Sequence, residues 1–217
     1  DITEMKPGVG ERKWEVDSLC YPIRLAHEYW RATGDTAPFD NDWREAMRIV
    51  VRTFREQQRL HDRGPYTFQR PSPFATETLV LGGYGQPTRS NGMIHSMFRP
   101  SDDACVYPLF VPANLFAVSV LRRLATMSQK IHHDNDFAFD CSALADEVEQ
   151  ATRQHGLMRD ADGEPFCASA TCAFNANRNG AATAAATWTL NQFLRIGLLP
   201  FISCSPRLGG RVNRTSF

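Results

Sequence analysis

The sequence predicts an all-α domain, and three observations carry that expectation. Apolar residues recur at three- and four-residue spacing in four separate windows, no long alternating segment competes with them, and each window is bounded by residues that start or stop helices. In the first window, residues 18–33, Leu19, Ile23, Ala26 and Trp30 share a face, and Asp17 or Ser18 is a natural N-cap. Pro22 lies near enough to the first turn to be tolerated, and Gly34 ends the helix. The second helix starts near Asp40, carries Trp43, Met47, Val50 and Phe54 before the charged run FREQQR, and is expected to pair with the first. A third begins around Pro112, a residue suited to the first helical position, and continues through Leu115, Val118, Leu121 and Ala125. The fourth has Asp140 or Ser142 near its start, Leu144, Val148 and Ala151 inside, and Gly156 as its stop.

Between the second and third helices, residues 60–111 are rich in Gly, Pro and Ser but also hold Tyr66, Phe68, Phe74, Tyr84 and Phe98. So long a connection in a helical domain is usually either functional or disordered, and its aromatics argue against disorder. The expected division of labour is a helical scaffold with the chemistry on a long loop.

Composition bounds the partners. The 217 residues carry 24 basic and 24 acidic side chains, a balance without the basic excess of a nucleic-acid binder. No segment holds the roughly 20 consecutive apolar residues of a membrane helix, so no membrane partner is expected. The chain begins at Asp1 with no secretory signal in view, which leaves both the secretory pathway and the cytoplasm open. Six cysteines without a CxxC pair disfavour a structural zinc site, and most are read as small buried hydrophobes. His132, His133 and Asp134 are placed in a polar interhelical loop with no standard metal spacing; no metal and no cofactor is expected.

The stretch FRPSDDACVYPLFVPAN, residues 98–114, sets Asp102 and Asp103 side by side between Arg99 and an apolar run. One of them could be a catalytic acid, its pKa raised by its neighbour's charge and by burial. Alternatively, Ser101 and the acids cap a turn, with Arg99 as ion partner. Glu15 and Asp17, in KWEVDSLCYP, carry the same ambiguity, and His95 either contacts substrate or is satisfied by a backbone partner.

Two runs narrow the choice: ERKWEVDSLCYPIRLAHEYWRATGD (11–35) and SNGMIHSMFRPSDDACVYPLFVPANLFAVSVLR (90–122). Both resemble glycoside hydrolase family 125, the exo-acting α-1,6-mannosidases, which include a fungal meiotically up-regulated branch; the likeness extends over residues 1–158. It implies a partial (α/α)6 barrel, a six-hairpin toroid with an acidic pocket at one end. The implied chemistry is metal-independent, inverting hydrolysis of a mannose-containing glycan. Inversion uses one acid to protonate the leaving oxygen and a second carboxylate, roughly 6.5–9.5 Å away, to activate water, so two adjacent aspartates are not themselves the pair. The resemblance places the general acid in RPSDDA, with Asp102 favoured and Asp103 as its electrostatic neighbour. Arg99, Ser101, Glu15, Asp17 and His95 are the implied substrate-binding residues, and Trp14 either stacks on a sugar or packs in the core.

The family's WLRDS motif and its general-base glutamate have no match here, so the expected polypeptide is an internal fragment, inactive by itself. An opened toroid exposes apolar faces, and association is its expected physical consequence. A non-catalytic carbohydrate-binding remnant and a helical interaction module are the alternatives. Residues 159–217 form a divergent tail: no acid follows Glu164, and Ala, Asn and Thr dominate. Read one nucleotide out of frame, codons for Thr187, Trp188 and Thr189 can spell Met-Asp, and those for Gln192 through Arg195 can spell Val-Pro-Ser, as in the family segment MDDANVPS. A frame change or retained intron after about Met158 is therefore expected, with a genuine divergent extension as the alternative.

Overall fold

The computed structural model describes residue 2, residues 5–159 and residues 165–167. The helices are α1 (Val16–Thr33), α2 (Asn41–Gln57), α3 (Val111–His132) and α4 (Asn135–His155). A 3-10 turn, Ala75–Glu77, interrupts the long connection, and a short antiparallel hairpin follows α4, pairing β1 (Leu157–Arg159) with β2 (Pro165–Cys167). The hairpin was not foreseen, because three-residue strands give too little alternation to register.

Local capping explains most of the helix boundaries. Asp40 caps α2 by accepting from the Trp43 N–H at 2.9 Å, and Gly34 closes α1 in the left-handed region at φ 71°. The start of α1 departs from expectation: Glu15 is the N-cap, and its side chain makes no capping bond. Instead the Ser18 hydroxyl donates to the Glu15 carboxylate at 2.7 Å, and the Val16 N–H donates to Ser96 Oγ at 3.2 Å, so the cap comes from the long connection.

The fourth helix starts several residues before Asp140. Asp134 is its N-cap, accepting from the Phe137 N–H at 3.1 Å, and His133 in the left-handed region (φ 54°) turns the chain directly out of α3. The expected polar interhelical loop is thus a two-residue joint. His132 ends α3 and stacks on Trp43 with ring centroids 5.8 Å apart, while Asp134 takes Arg44 at 3.2 Å and also Arg48.

The core is centred on α3, buried on nearly every side by Phe116, Val120, Leu121, Leu124 and Met127. It packs along α4 and then against α1; the principal neighbour of α1 is α3, not α2 as the sequence suggested. Ion pairs help fasten α2 to α4, notably Arg55 to Asp140 at 2.5 Å and to Glu147 at 3.5 Å. On the outer side of α1, Tyr21, Leu25 and Tyr29 remain exposed at four-residue spacing.

Residues 93–98, MIHSMF, run through the core without being helix or strand, and every N–H in the run has a partner. Met93 donates to Asn91 Oδ1 (3.1 Å), Ile94 to Asn114 Oδ1 (2.7 Å), His95 to the Gln57 carbonyl (2.9 Å) and Ser96 to the Pro108 carbonyl (2.7 Å). Met97 and Phe98 share the Trp14 carbonyl at 3.2 and 3.1 Å. Asn114, fully buried on α3, also returns its Nδ2 to the Ile94 carbonyl at 3.0 Å, imitating a neighbouring strand. Asn114→Ala is expected to leave both Ile94 backbone groups unpaired and to cost about 2 kcal/mol, read as a shift in the urea midpoint.

Candidate functional site

This pinned segment positions the acidic residues. Because Trp14 is tied to Met97 and Phe98 through its carbonyl, and by its indole N–H to the His95 carbonyl at 2.6 Å, the entrance to α1 lies against the base of the RPSDDA turn. The turn is closed by a bridge between Phe98 and Ala104, with Arg99 N–H to the Asp103 carbonyl at 3.0 Å and Asp102 N–H to the Arg99 carbonyl at 2.8 Å. Asp102 occupies the left-handed region at φ 64°, a conformation that aspartate tolerates better than most residues.

The two adjacent acids sit on cations. Lys13 Nζ lies 2.7 Å from Asp102 Oδ1, while the Asp102 side chain is otherwise 67% exposed. Asp103 accepts from the Ser101 hydroxyl at 2.8 Å and from Arg99 Nη2 at 2.9 Å. The Ser101 bond first, then Arg99 and Thr76, hold the Asp103 carboxyl below its ordinary range, outweighing burial. Asp103 thus forms the turn contact with Ser101 and has Arg99 as its ion partner.

The raised carboxyl is Asp17. Burial first, and the charge of Glu15 second, push it up to about 6, its own backbone N–H opposing. Its Oδ1 is buried with no partner among the described residues, as is Arg99 Nε. Cys105 links these groups: burial pushes its thiol up to about 12, Arg99 opposes, and Glu15 and Asp17 add to the rise. Glu15, Asp17 and Arg99 thus all act on the buried Cys105 thiol, and the region combines the exposed acids of the turn with a carboxyl, Asp17, that burial raises.

His95 lies inside the scaffold. It is 1% exposed, and both ring nitrogens are spent on the scaffold. The Gln57 carbonyl can only accept, so Nδ1 carries the proton toward it (3.0 Å) and Nε2 accepts from the Thr88 hydroxyl (2.7 Å). Burial first, and Arg59 second, lower its pKa to about 4, which keeps it neutral. Trp14 is likewise a core residue, 4% exposed and stacked on Tyr66 at 5.2 Å, and offers no face to a sugar.

A family profile described as "Metal-independent alpha-mannosidase (GH125)" matches residues 2–176, which include both acid-bearing runs and the helices that hold them. The chain belongs to this family. The match continues past the 158 boundary drawn from the sequence; apart from 159 and 165–167, the tail lies outside the described residues. A fission-yeast relative (Schizosaccharomyces pombe), the meiotically up-regulated gene 157 protein, is 36% identical over 159 residues, covering 69% of this chain and 31% of the relative. A solved metal-independent alpha mannosidase from Streptococcus pneumoniae, in a non-productive complex with alpha-1,6-mannobiose, is 33% identical with a TM-score of 0.71. That likeness covers 76% of this chain and 39% of the streptococcal one, so the chain spans well under half of either relative. The helical architecture and the streptococcal likeness agree on the expected class, all-α and part of an (α/α)6 toroid.

Within this GH125 chain, sequence reasoning missed Lys13. It lies in the first of the two acid-bearing runs, and the alternation of Lys13 and Glu15 with the buried Trp14 and Val16 was a short extended signal pointing it toward the turn.

Proposed function

We propose that this chain is the acid-bearing part of an inverting exo-α-1,6-mannosidase acting on mannose-rich glycans, inactive as these 217 residues alone. The observation that carries the reading is the RPSDDA turn of a GH125 chain, which pairs Asp102 with the buried Lys13 and Asp103 with the half-buried Arg99 beside the entrance to α1. Asp102 protonates the leaving oxygen, Asp103 and Arg99 fix the charge beside it, and Ser101, Glu15 and Asp17 bind sugar hydroxyls. A carboxylate elsewhere in the fold activates water on the opposite face of the sugar. Mannose release from α-1,6-linked mannobiose tests this, comparing the purified chain with the chain joined to the family segments it does not span. Release only by the extended protein is expected; an inactive extended protein would sink the assignment, and release by the short chain would sink the claim of inactivity.

One observation favours a second assignment of the acid. Asp17 holds its proton to about pH 6, which suits a general acid, whereas Asp103 is held ionised. If Asp17→Asn in the extended chain removes mannobiose hydrolysis while Asp102→Asn keeps it, the acid is Asp17. We also propose that the transcript changes frame or retains intron sequence in the 159–217 region; an intact frame across codons 155–190 would refute this.

A further inference from the structure

Lys13 has an environment that its backbone neighbours do not explain. Its side chain is 7% exposed, and its Nζ lies 4.9 Å from the centroid of the Phe98 ring and 5.8 Å from that of Phe68. Those rings stand nearly perpendicular to each other, 5.2 Å apart, and the ammonium lies over both. A buried ammonium has to be paired. The acids facing it are Asp102 at 2.7 Å and Glu11 at 3.5 Å, and Glu11 is itself drawn off by Arg70 at 3.0 Å. The dominant contact of Lys13 is therefore with one oxygen of Asp102. Lys13 is also fixed in register, because Trp14 beside it is bonded to residues 95, 97 and 98.

We propose that Lys13 is a positioning residue for the acid of this site: from beneath the turn its ammonium holds Asp102 Oδ1, and so aims the carboxyl group at the leaving oxygen. This rests on the assignment of Asp102 as acid. The bond occupies Oδ1, and among the described residues no donor takes Oδ2, which leaves that oxygen as the one able to present a proton to the substrate. Without Lys13, Asp102 would be an exposed side chain at the apex of a turn, free to rotate about its side-chain bonds. The pairing spans 89 residues of sequence and couples the entrance of α1 to the RPSDDA turn. It also explains an otherwise costly choice, a lysine with little exposure where an apolar residue would leave no ammonium to satisfy.

The inference is tested by Lys13→Met, which keeps the length and apolarity of the stem and removes the charge, and by Lys13→Arg, which keeps the charge. In the 217-residue chain, amide exchange reads the turn without any need for activity. Lys13→Met should speed exchange at Arg99 and Asp102, whose N–H groups close the turn, about tenfold while the amides of α3 and α4 keep their protection, and Lys13→Arg should restore it. Unchanged protection at the turn would overturn the inference, as would loss of protection throughout α3 and α4. In the extended chain, Lys13→Met should lower kcat on mannobiose at least tenfold with little change in KM, and should hardly affect an aryl mannoside whose leaving group needs no proton. Equal losses on both substrates would mean a merely structural lysine and would overturn the proposal. Asp102→Asn in the same comparison separates the two levels: if it shows no leaving-group dependence, the assignment of the acid has failed, whatever Lys13 does.

Discussion

Replacing Asp102 by Asn in the extended chain is expected to slow hydrolysis of α-1,6-mannobiose by about 10²–10⁴-fold, the usual contribution of a positioned general acid. The loss should shrink to a few-fold on a dinitrophenyl mannoside, because that leaving group departs without protonation. Asp103→Asn should be milder and should fall on both substrates alike, since Asp103 is committed to Ser101 and Arg99 and acts through the charge it sets beside its neighbour. Steady-state kinetics on the two substrates distinguish these outcomes. Loss of the leaving-group contrast in Asp102→Asn, or its appearance in Asp17→Asn, would move the acid from the turn to the start of α1.

Stability should respond to Asp17 and His95 with opposite signs. The Asp17 carboxyl is raised from 3.8 to about 6, so below about pH 3.8 folded and unfolded chains are both protonated there and the group costs nothing. As pH rises to about 6 the unfolded chain has released a proton that the folded chain keeps, and stability falls, by on the order of 2–3 kcal/mol once the window is crossed. His95 is lowered from 6.5 to about 4: above 6.5 both states are neutral, and as pH falls through the window the unfolded chain takes up a proton that the folded chain refuses. That loss is of similar size and runs toward acid. Between about pH 4 and pH 6 the two contributions offset each other. Asp17→Asn is therefore expected to stabilise the chain at pH 7 and to uncover the His95 slope, with the urea midpoint falling more steeply toward acid than in the parent. Parallel midpoints for parent and variant, or a variant less stable at pH 7, would contradict the buried acid.

What the sequence disclosed follows from the range of the interactions involved. Helix α2 announces itself because Asp40, Trp43 and the Met47, Val50, Phe54 stripe all act within a few turns. The start of α4 does not, because the left-handed residue that joins it to α3 is a histidine rather than a glycine, inside a polar run that reads as loop. Residues 93–98 carry no period at all. Their backbone is satisfied by Asn114, by Gln57, by Pro108 and by Trp14, partners that a local window cannot see. The same holds in the site: the acids of RPSDDA were legible through family resemblance, whereas the Lys13 contact reaches them across 89 residues. The burial of His95 was illegible for the same reason, since a solitary histidine carries no mark of the Thr88 and Gln57 groups that bond both its ring nitrogens.

The most direct test of the central claim is proton NMR of the first mannose released from α-1,6-mannobiose by the extended chain, recorded before mutarotation. Initial appearance of the β anomer is the predicted result, because water activated opposite an acid on the RPSDDA turn inverts the anomeric carbon. Initial appearance of the α anomer would require a covalent intermediate and a nucleophile close to that acid, and would contradict the mechanism proposed for this chain.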